Sequence, residues 1–186
     1  WHFHANSELL GNNEDYLAED LVEWVDDTFR SVPDRDHRLI VARSMGGHGA
    51  MRLTMRHPET FGGASIDAGY MAIAEGEIPV RVPWVVSTTP GPPYDFAPTD
   101  GFIQSVFFEV CAAFTPNMSK PPWYVDFIIK PDGTLDQEVY DRLLAESPPT
   151  LVAEYAGSDY SLDLFLRIGN ADGYRNTFWP VIDALE

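Results

Sequence analysis

The stretch VARSMGGHGAM, Val41–Met51, sets one serine, Ser44, between an apolar run and a helix-like run. Serine is poor in a strand and mediocre in a helix, so its place at the junction asks for a chemical reason. A hydroxyl at a sharp strand-to-helix turn is pushed out at the carboxyl edge of a sheet, where it can attack a carbonyl carbon. Such a turn crowds the positions two before and two after the serine. Those are Ala42 and Gly46, both small. The helix that follows would aim its first amides at the reacting centre. The N–H of Met45, next to the serine, is the natural donor to an oxyanion. The competing reading is a glycine-rich turn with a solvent-facing serine.

The flanking elements must hold that turn. Leu39–Ala42, LIVA, is short, continuous and β-branched, which predicts a strand buried on both faces of a parallel sheet. A helix is predicted from Gly46 to about Arg56, closed by His57-Pro58. Gly62–Gly69, GGASIDAG, offers a second strand and Leu164–Ile168 a third, neighbouring and parallel. Upstream, Leu17, Leu21, Val25 and Phe29 recur every fourth residue and predict a helix over 14–30. Asn176–Leu185 suits a last helix, with Pro180 in its first turn. Strand, helix, strand in this order is the α/β pattern.

Residues 71–160 differ in character. Twelve of the 15 prolines fall there, with many aromatics, including Trp84, Trp123, Tyr124 and Phe127. Two helices fit inside, near 100–114 and 136–146. The segment reads as a proline- and aromatic-rich insertion lying over the sheet of one domain, 1–186, and not as a second domain.

Composition narrows the function classes. The chain has 186 residues, is 45% hydrophobic and carries a net charge of −17 with only 12 Lys+Arg. Such a surface repels phosphate backbones and anionic lipid, so neither nucleic acid nor a membrane is an expected partner. No apolar run is long enough to span a bilayer. The one cysteine, Cys111, falls in an apolar stripe with Ile103, Phe107 and Phe114, which predicts a buried structural thiol. No cysteine cluster could hold a metal. The first residue is Trp1, and WHFHANSELL lacks the form of a signal peptide, so the natural N-terminus is expected to lie outside the sequence. Nothing chooses between a cytoplasmic and a secreted location.

The run from Asn6 to Gly69, through EDYLAEDLVEWVD, PDRDHR, SMGGHGAM and RHPETFG, resembles the esterase D/antigen 85-type esterase family of α/β-hydrolases. That group includes S-formylglutathione hydrolases, feruloyl esterases, siderophore esterases and mycolyltransferases. The likeness resumes more weakly at TPNMSKPPWYVDF and LRIGNADGY. It implies an α/β-hydrolase fold, a mostly parallel sheet with helices on both faces. It also implies a Ser–Asp–His triad without metal or organic cofactor, acting on small-molecule esters or thioesters. Ser44 then matches the nucleophile and Met45 the adjacent amide donor. GNADGY takes the place of the family's acid loop, so Asp172 is the expected acid; Asp-Gly is also a common turn pair. Asp67, at the end of the second strand, is the competitor.

The resemblance leaves the base unfilled. Its chain order is Ser, acid, His, yet His2, His4, His37, His48 and His57 all precede Asp172. The chain is therefore expected to be a fragment, open at both ends, and weakly active or inactive alone. His48 is expected to pack, hydrogen-bonded, beneath the turn. His2 and His4 would run near the site mouth. An acyltransferase of the same fold and a non-catalytic ligand-binding relative are the alternatives. The four aromatics named above suggest an apolar or aromatic acyl or alcohol group, although such residues more often simply pack.

Overall fold

The computed structural model describes residues 2–186. Two short strands open it, β1 (Asn6–Ser7) and β2 (Gly11–Asn12), paired antiparallel. Asn6 then serves as a cap at a distance. Its Oδ1 accepts from the backbone N–H groups of Glu14 at 3.0 Å and Asp15 at 3.2 Å. Those amides are orphans of the helix start, α1 (Asn13–Asp15), where Asn12 makes no side-chain cap. A π-helical turn, Tyr16–Asp20, carries the chain into α2 (Leu21–Thr28). The wider turn suits an apolar repeat of four, which drifts on a 3.6-residue helix. The stripe is only half covered, and Phe29 is already extended and exposed.

The central sheet holds β3 (Leu39–Ser44), β4 (Gly63–Gly69) and β5 (Asp163–Arg167), in that order and parallel throughout. The three strands read from the sequence are thus neighbours in one sheet. Helix α3 (Gly46–Arg56) is the crossover between the first two. Ile40, Ala42, Ile66, Leu164 and Leu166 face a core with Met51 and Phe178. The other sheet face differs from the two-sided burial expected of Leu39–Ala42. Leu39, Val41 and Phe165 are 62%, 83% and 60% exposed. The helices that share the core with these strands all lie on the Ile40 side.

Between β4 and β5 lie α4 (Ile73–Gly76), α5 (Ile78–Thr88), α6 (Phe102–Phe114), α7 (Gln137–Ala145) and α8 (Pro148–Tyr155). Helix α9 (Trp179–Leu185) closes the chain. Helices α6 and α7 match the two read from sequence. Helices α5 and α8 were hidden by their prolines, yet Pro79, Pro148 and Pro149 sit in first turns, where no backbone N–H is needed. Only Pro83 is internal. The connection has its own core, built around Ile78, Val85, Phe107 and Ile128. Cys111 is fully buried in it, and burial pushes its thiol up to about 12. Among the described residues, no helix is long and apolar enough to cross a membrane.

An ion network locks the N-terminal helix to α3 and to the residue that ends α7. Arg52 Nε donates to Glu14 Oε2 and its Nη1 to Glu146 Oε2, both at 2.6 Å. Arg56 reaches Glu146 at 2.8 Å, and His57 Nε2 lies 3.2 Å from Glu14 Oε1. Burial alone would raise the Glu14 carboxyl. The His57 bond and the Arg52 charge outweigh it and hold the group below its usual range. Glu14→Ala leaves Arg52 buried without that partner and is expected to cost ~3–5 kcal/mol. Arg56→Ala, at a half-exposed pair, should cost under ~1 kcal/mol. Urea unfolding of the two variants checks the contrast.

Candidate active site

Strand β3 ends in a turn that departs from the ladder. The register with β4 shifts between Arg43 and Ser44, and Ser44 takes φ +53°. That left-handed conformation is costly for a residue with a Cβ, on the order of 1–2 kcal/mol, so the surroundings must hold it. One restraint is direct: the Tyr70 N–H donates to the Ser44 carbonyl at 2.8 Å. Helix α3 starts two residues on, and no side chain caps its first turn. Its leading amides therefore carry the positive end of the helix dipole toward Ser44.

The crowding expected at Gly46 lies mainly one residue later. A Cβ on Gly46 would meet the Ala42 methyl at 3.6 Å, an ordinary contact. A Cβ on Gly47 would sit 2.7 Å from the Gly69 Cα and 2.9 Å from Ile66 Cγ2. The helix thus crosses β4 at backbone distance, and Gly47 makes that approach possible.

Ser44 and Met45 line a cavity of about 360 Å³. One wall is apolar and comes from α6, through Phe102, Ile103, Val106 and Phe107. The facing wall is polar and includes Tyr70, Glu77, Arg81 and Tyr174. Tyr70 and Tyr174 pack edge to face at 5.0 Å, and burial, then Glu77, pushes the Tyr70 hydroxyl up. Arg81 Nε donates to Glu77 Oε2 at 2.9 Å, one helical turn back, at the residue that leads into α5. Sequence reading missed all four. The Glu-to-Arg spacing was visible, but EIPVR did not read as helix.

Asp172 sits in the turn after β5. Its Oδ1 accepts from the Tyr174 N–H at 2.8 Å, so the turn that holds it also sets a residue of the cavity wall. Asp67, the competitor, is held by the neighbouring strand. It makes two 3.0 Å contacts with Arg167, one strand over. That hydrogen bond, with the Arg167 charge, lowers its carboxyl below the usual range.

The histidines divide by surroundings. His37 is exposed beside Asp34, and His57 is held by Glu14, whose hydrogen bond raises its pKa. His48 is buried between Phe3 and Phe114, with ring centroids 5.7 and 5.4 Å away. It packs as expected, yet its Nδ1 has no hydrogen-bond partner among the described residues. His4 is the histidine that lines the Ser44 cavity, at φ +56°. Its ring lies where a Gly49 Cβ would be, and its Nδ1 is likewise buried and unpartnered.

The aromatic residues singled out from sequence lie elsewhere. Trp123 and Phe127 line a separate cleft with Tyr94 and Phe96, while Trp84 and Tyr124 line neither. Aromatic surface in the Ser44 cavity comes from Phe3, Phe102, Phe107 and the two tyrosines instead. Among the described residues, no group of three or more His, Cys, Asp or Glu side chains is placed to hold a metal.

The family model "Esterase: Putative esterase" matches residues 2–146. The chain belongs to this esterase family. No curated protein matches it. Solved structures are similar to it, among them the following three. A ferulic acid esterase shares 17% identity over 94% of this chain and 48% of its own, with a TM-score of 0.46. An S-formylglutathione hydrolase from Agrobacterium tumefaciens shares 19% over 100% of this chain and 50% of its own, TM-score 0.49. MPT51 (FbpC1) of Mycobacterium tuberculosis shares 14% over 99% of this chain and 73% of its own, TM-score 0.41. The chain spans about half the length of the first two.

Two outcomes follow from the packing around the turn. Gly47→Ala is expected to cost ~1–3 kcal/mol through overpacking against β4. Gly46→Ala should stay within about 1 kcal/mol of the parent, since helix propensity favours alanine by that order. Urea midpoints compare them. His48 carries a pH signature: burial, then Arg52 and His4, pull its pKa from 6.5 down to about 3. Above 6.5 both folded and unfolded chains leave it neutral. Below, the unfolded chain takes a proton that the folded one refuses, so stability falls by ~1.4 kcal/mol per pH unit. Between pH 6.5 and 5 the parent should lose ~2 kcal/mol more than His48→Phe. The rise contributed by His57 is common to both proteins and cancels.

Proposed function

We propose that this chain carries the nucleophile and acid of a serine hydrolase that cleaves carboxylic esters or thioesters through an acyl-enzyme on Ser44. The observation that carries the reading is the left-handed Ser44 at the head of α3, opening into a cavity of about 360 Å³. Family membership supports it independently. The residues 71–160 act as a cap, with α6 as the wall that meets the substrate.

In the reaction, Ser44 Oγ loses its proton to a base and attacks the carbonyl carbon. The carbonyl π pair moves onto oxygen, and the Met45 N–H donates to that oxyanion, worth ~3 kcal/mol per donor. Collapse expels the alcohol or thiol, which takes the proton back, and leaves the acyl group on Ser44. Water repeats the sequence and frees the acid. Asp172 orients the base and stabilises its charged form. No histidine follows Asp172 in residues 1–186, and His4 is the one that shares the cavity with Ser44. His4 is not assigned the base role, because its lowered pKa reflects burial, then His2, without a carboxylate partner.

Hydrolysis of p-nitrophenyl butyrate tests the assignment. The 186-residue chain should turn over slowly, since general-base catalysis contributes ~10²–10⁴-fold. Ser44→Ala should remove what activity there is, and His4→Ala should leave it unchanged. In the whole protein, Asp172→Asn should lower kcat by ~10³–10⁴, whereas Asp67→Asn, which removes a strand-to-strand ion pair, should change it less than tenfold. The reverse ranking would move the acid to Asp67. Robust turnover by this chain that His4→Ala abolishes would make His4 the base.

A further inference from the structure

The cavity inverts the charge of its surroundings. The chain has 29 acids against 12 Lys+Arg. The charged residues that line the Ser44 cavity are Arg43, Arg81 and Glu77, two cations to one anion.

Arg81 is held in a particular way. Glu77 is only 5% exposed and accepts from Nε, the inner donor of the guanidinium. The Nη1 and Nη2 groups make no hydrogen bond among the described residues, nor do the hydroxyls of Tyr70 and Tyr174, which line the same cavity. A pair that served stability alone would be a poor choice here, because the desolvation of a buried carboxylate offsets most of the attraction. What the pair does achieve is orientation. It fixes a long, rotamer-rich side chain with its outer donors free, and that removes ordering cost from any ligand contact.

We propose that Arg81 is the anion subsite of the Ser44 cavity and that the preferred substrates are esters bearing a second, free carboxylate. Resting on the esterase reading above, the subsite names the substrate class. The carboxylate accepts from the Nη pair in the two-point geometry that guanidinium favours, and the Tyr70 and Tyr174 hydroxyls stand beside it. The apolar α6 wall takes the hydrocarbon between carboxylate and ester. That wall also lowers the local dielectric and strengthens the contact. A surface of net charge −17 repels such a ligand from outside, so recognition depends on a cation inside the cavity.

Equilibrium binding, read by calorimetry at pH 7.5 and ~0.15 M salt, where the Debye length is about 8 Å, tests this apart from turnover. Monomethyl glutarate places the free carboxylate on the acyl side. O-butyrylglycolate places it on the alcohol side. Dimethyl glutarate and methyl O-butyrylglycolate are their neutral counterparts. One of the two acids should bind at least ~10-fold more tightly than its neutral ester, a factor typical of a charge-assisted pair, and which one does so tells the side. Arg81→Gln should erase that preference. Arg81→Lys, which keeps the Glu77 pair, should retain part of it and guards against misfolding. Equal binding of acid and neutral ester, no detectable binding of either acid, or a preference that survives Arg81→Gln would overturn the proposal. Hydrolysis of p-nitrophenyl butyrate that Ser44→Ala abolishes, without any carboxylate preference, removes the subsite and keeps the esterase. A carboxylate preference in a protein that hydrolyses no ester does the opposite.

Discussion

Everything at the site hangs on the contact between Gly47 and Gly69, where helix α3 rests on β4 with no room for a methyl group. A helix that close to the strand cannot be entered by a relaxed loop. The chain must leave β3 and start α3 within two residues, which forces Ser44 through the left-handed region. Strain of this kind persists only where neighbours over-determine it. Here they do so from both sides: the β3–β4 ladder runs up to Arg43, and the Tyr70 amide takes the displaced carbonyl. Position and strain of the serine are thus one property of the backbone, set by a glycine that does not line the cavity.

The same contact explains why the N-terminal segment is built as it is. With α3 pressed on β4, its other flank needs a partner, and Arg52 on that flank is buried. Glu14 supplies the charge, and Asn6 fixes the helix start that carries Glu14. His4 lies across Gly49 on the same helix, which again has no side chain in the way. Two of the glycines in GGHG therefore serve different partners. Gly47 admits the strand and Gly49 admits the N-terminal loop. His48, between them, points into the apolar space by Phe3 and Phe114 and is kept neutral there.

The turn, its flanking strands and the α3 crossover were legible because each rests on a local pattern: a β-branched run, small residues, then helical spacing. Asp172 was singled out only through resemblance, since Asp-Gly alone reads as a turn. The one-sided burial of β3 was not legible. Leu39 and Val41 are apolar, and no periodicity says which of two faces a neighbour will cover. Helices α5 and α8 failed for the opposite reason. Their prolines read as loop, although Pro79, Pro148 and Pro149 sit in first turns and only Pro83 is internal. That failure concealed the polar wall of the cavity, because Glu77 and Arg81 become neighbours only once α5 is known to be a helix.

The aromatics show how packing divides between two cores. Phe108 stacks on Phe127 at 4.5 Å and Tyr94 on Phe96 at 5.7 Å, so much of the aromatic surface between β4 and β5 is spent on that segment's own interior. The segment is therefore more than a loose cover; it holds α6 as a firm strut with one side in its core and another toward Ser44. The sheet core fixes Ser44, and the second core fixes the α6 wall. Met45 packs against the second core while Ala42, three residues earlier, packs against the first. The cavity lies against the second core with the Ser44 turn at its edge, so apolar and polar groups are held there in fixed relation. The turn at Ser44 and the α5 and α6 walls then rest on separate packing units, so side chains on those walls can change without disturbing the turn.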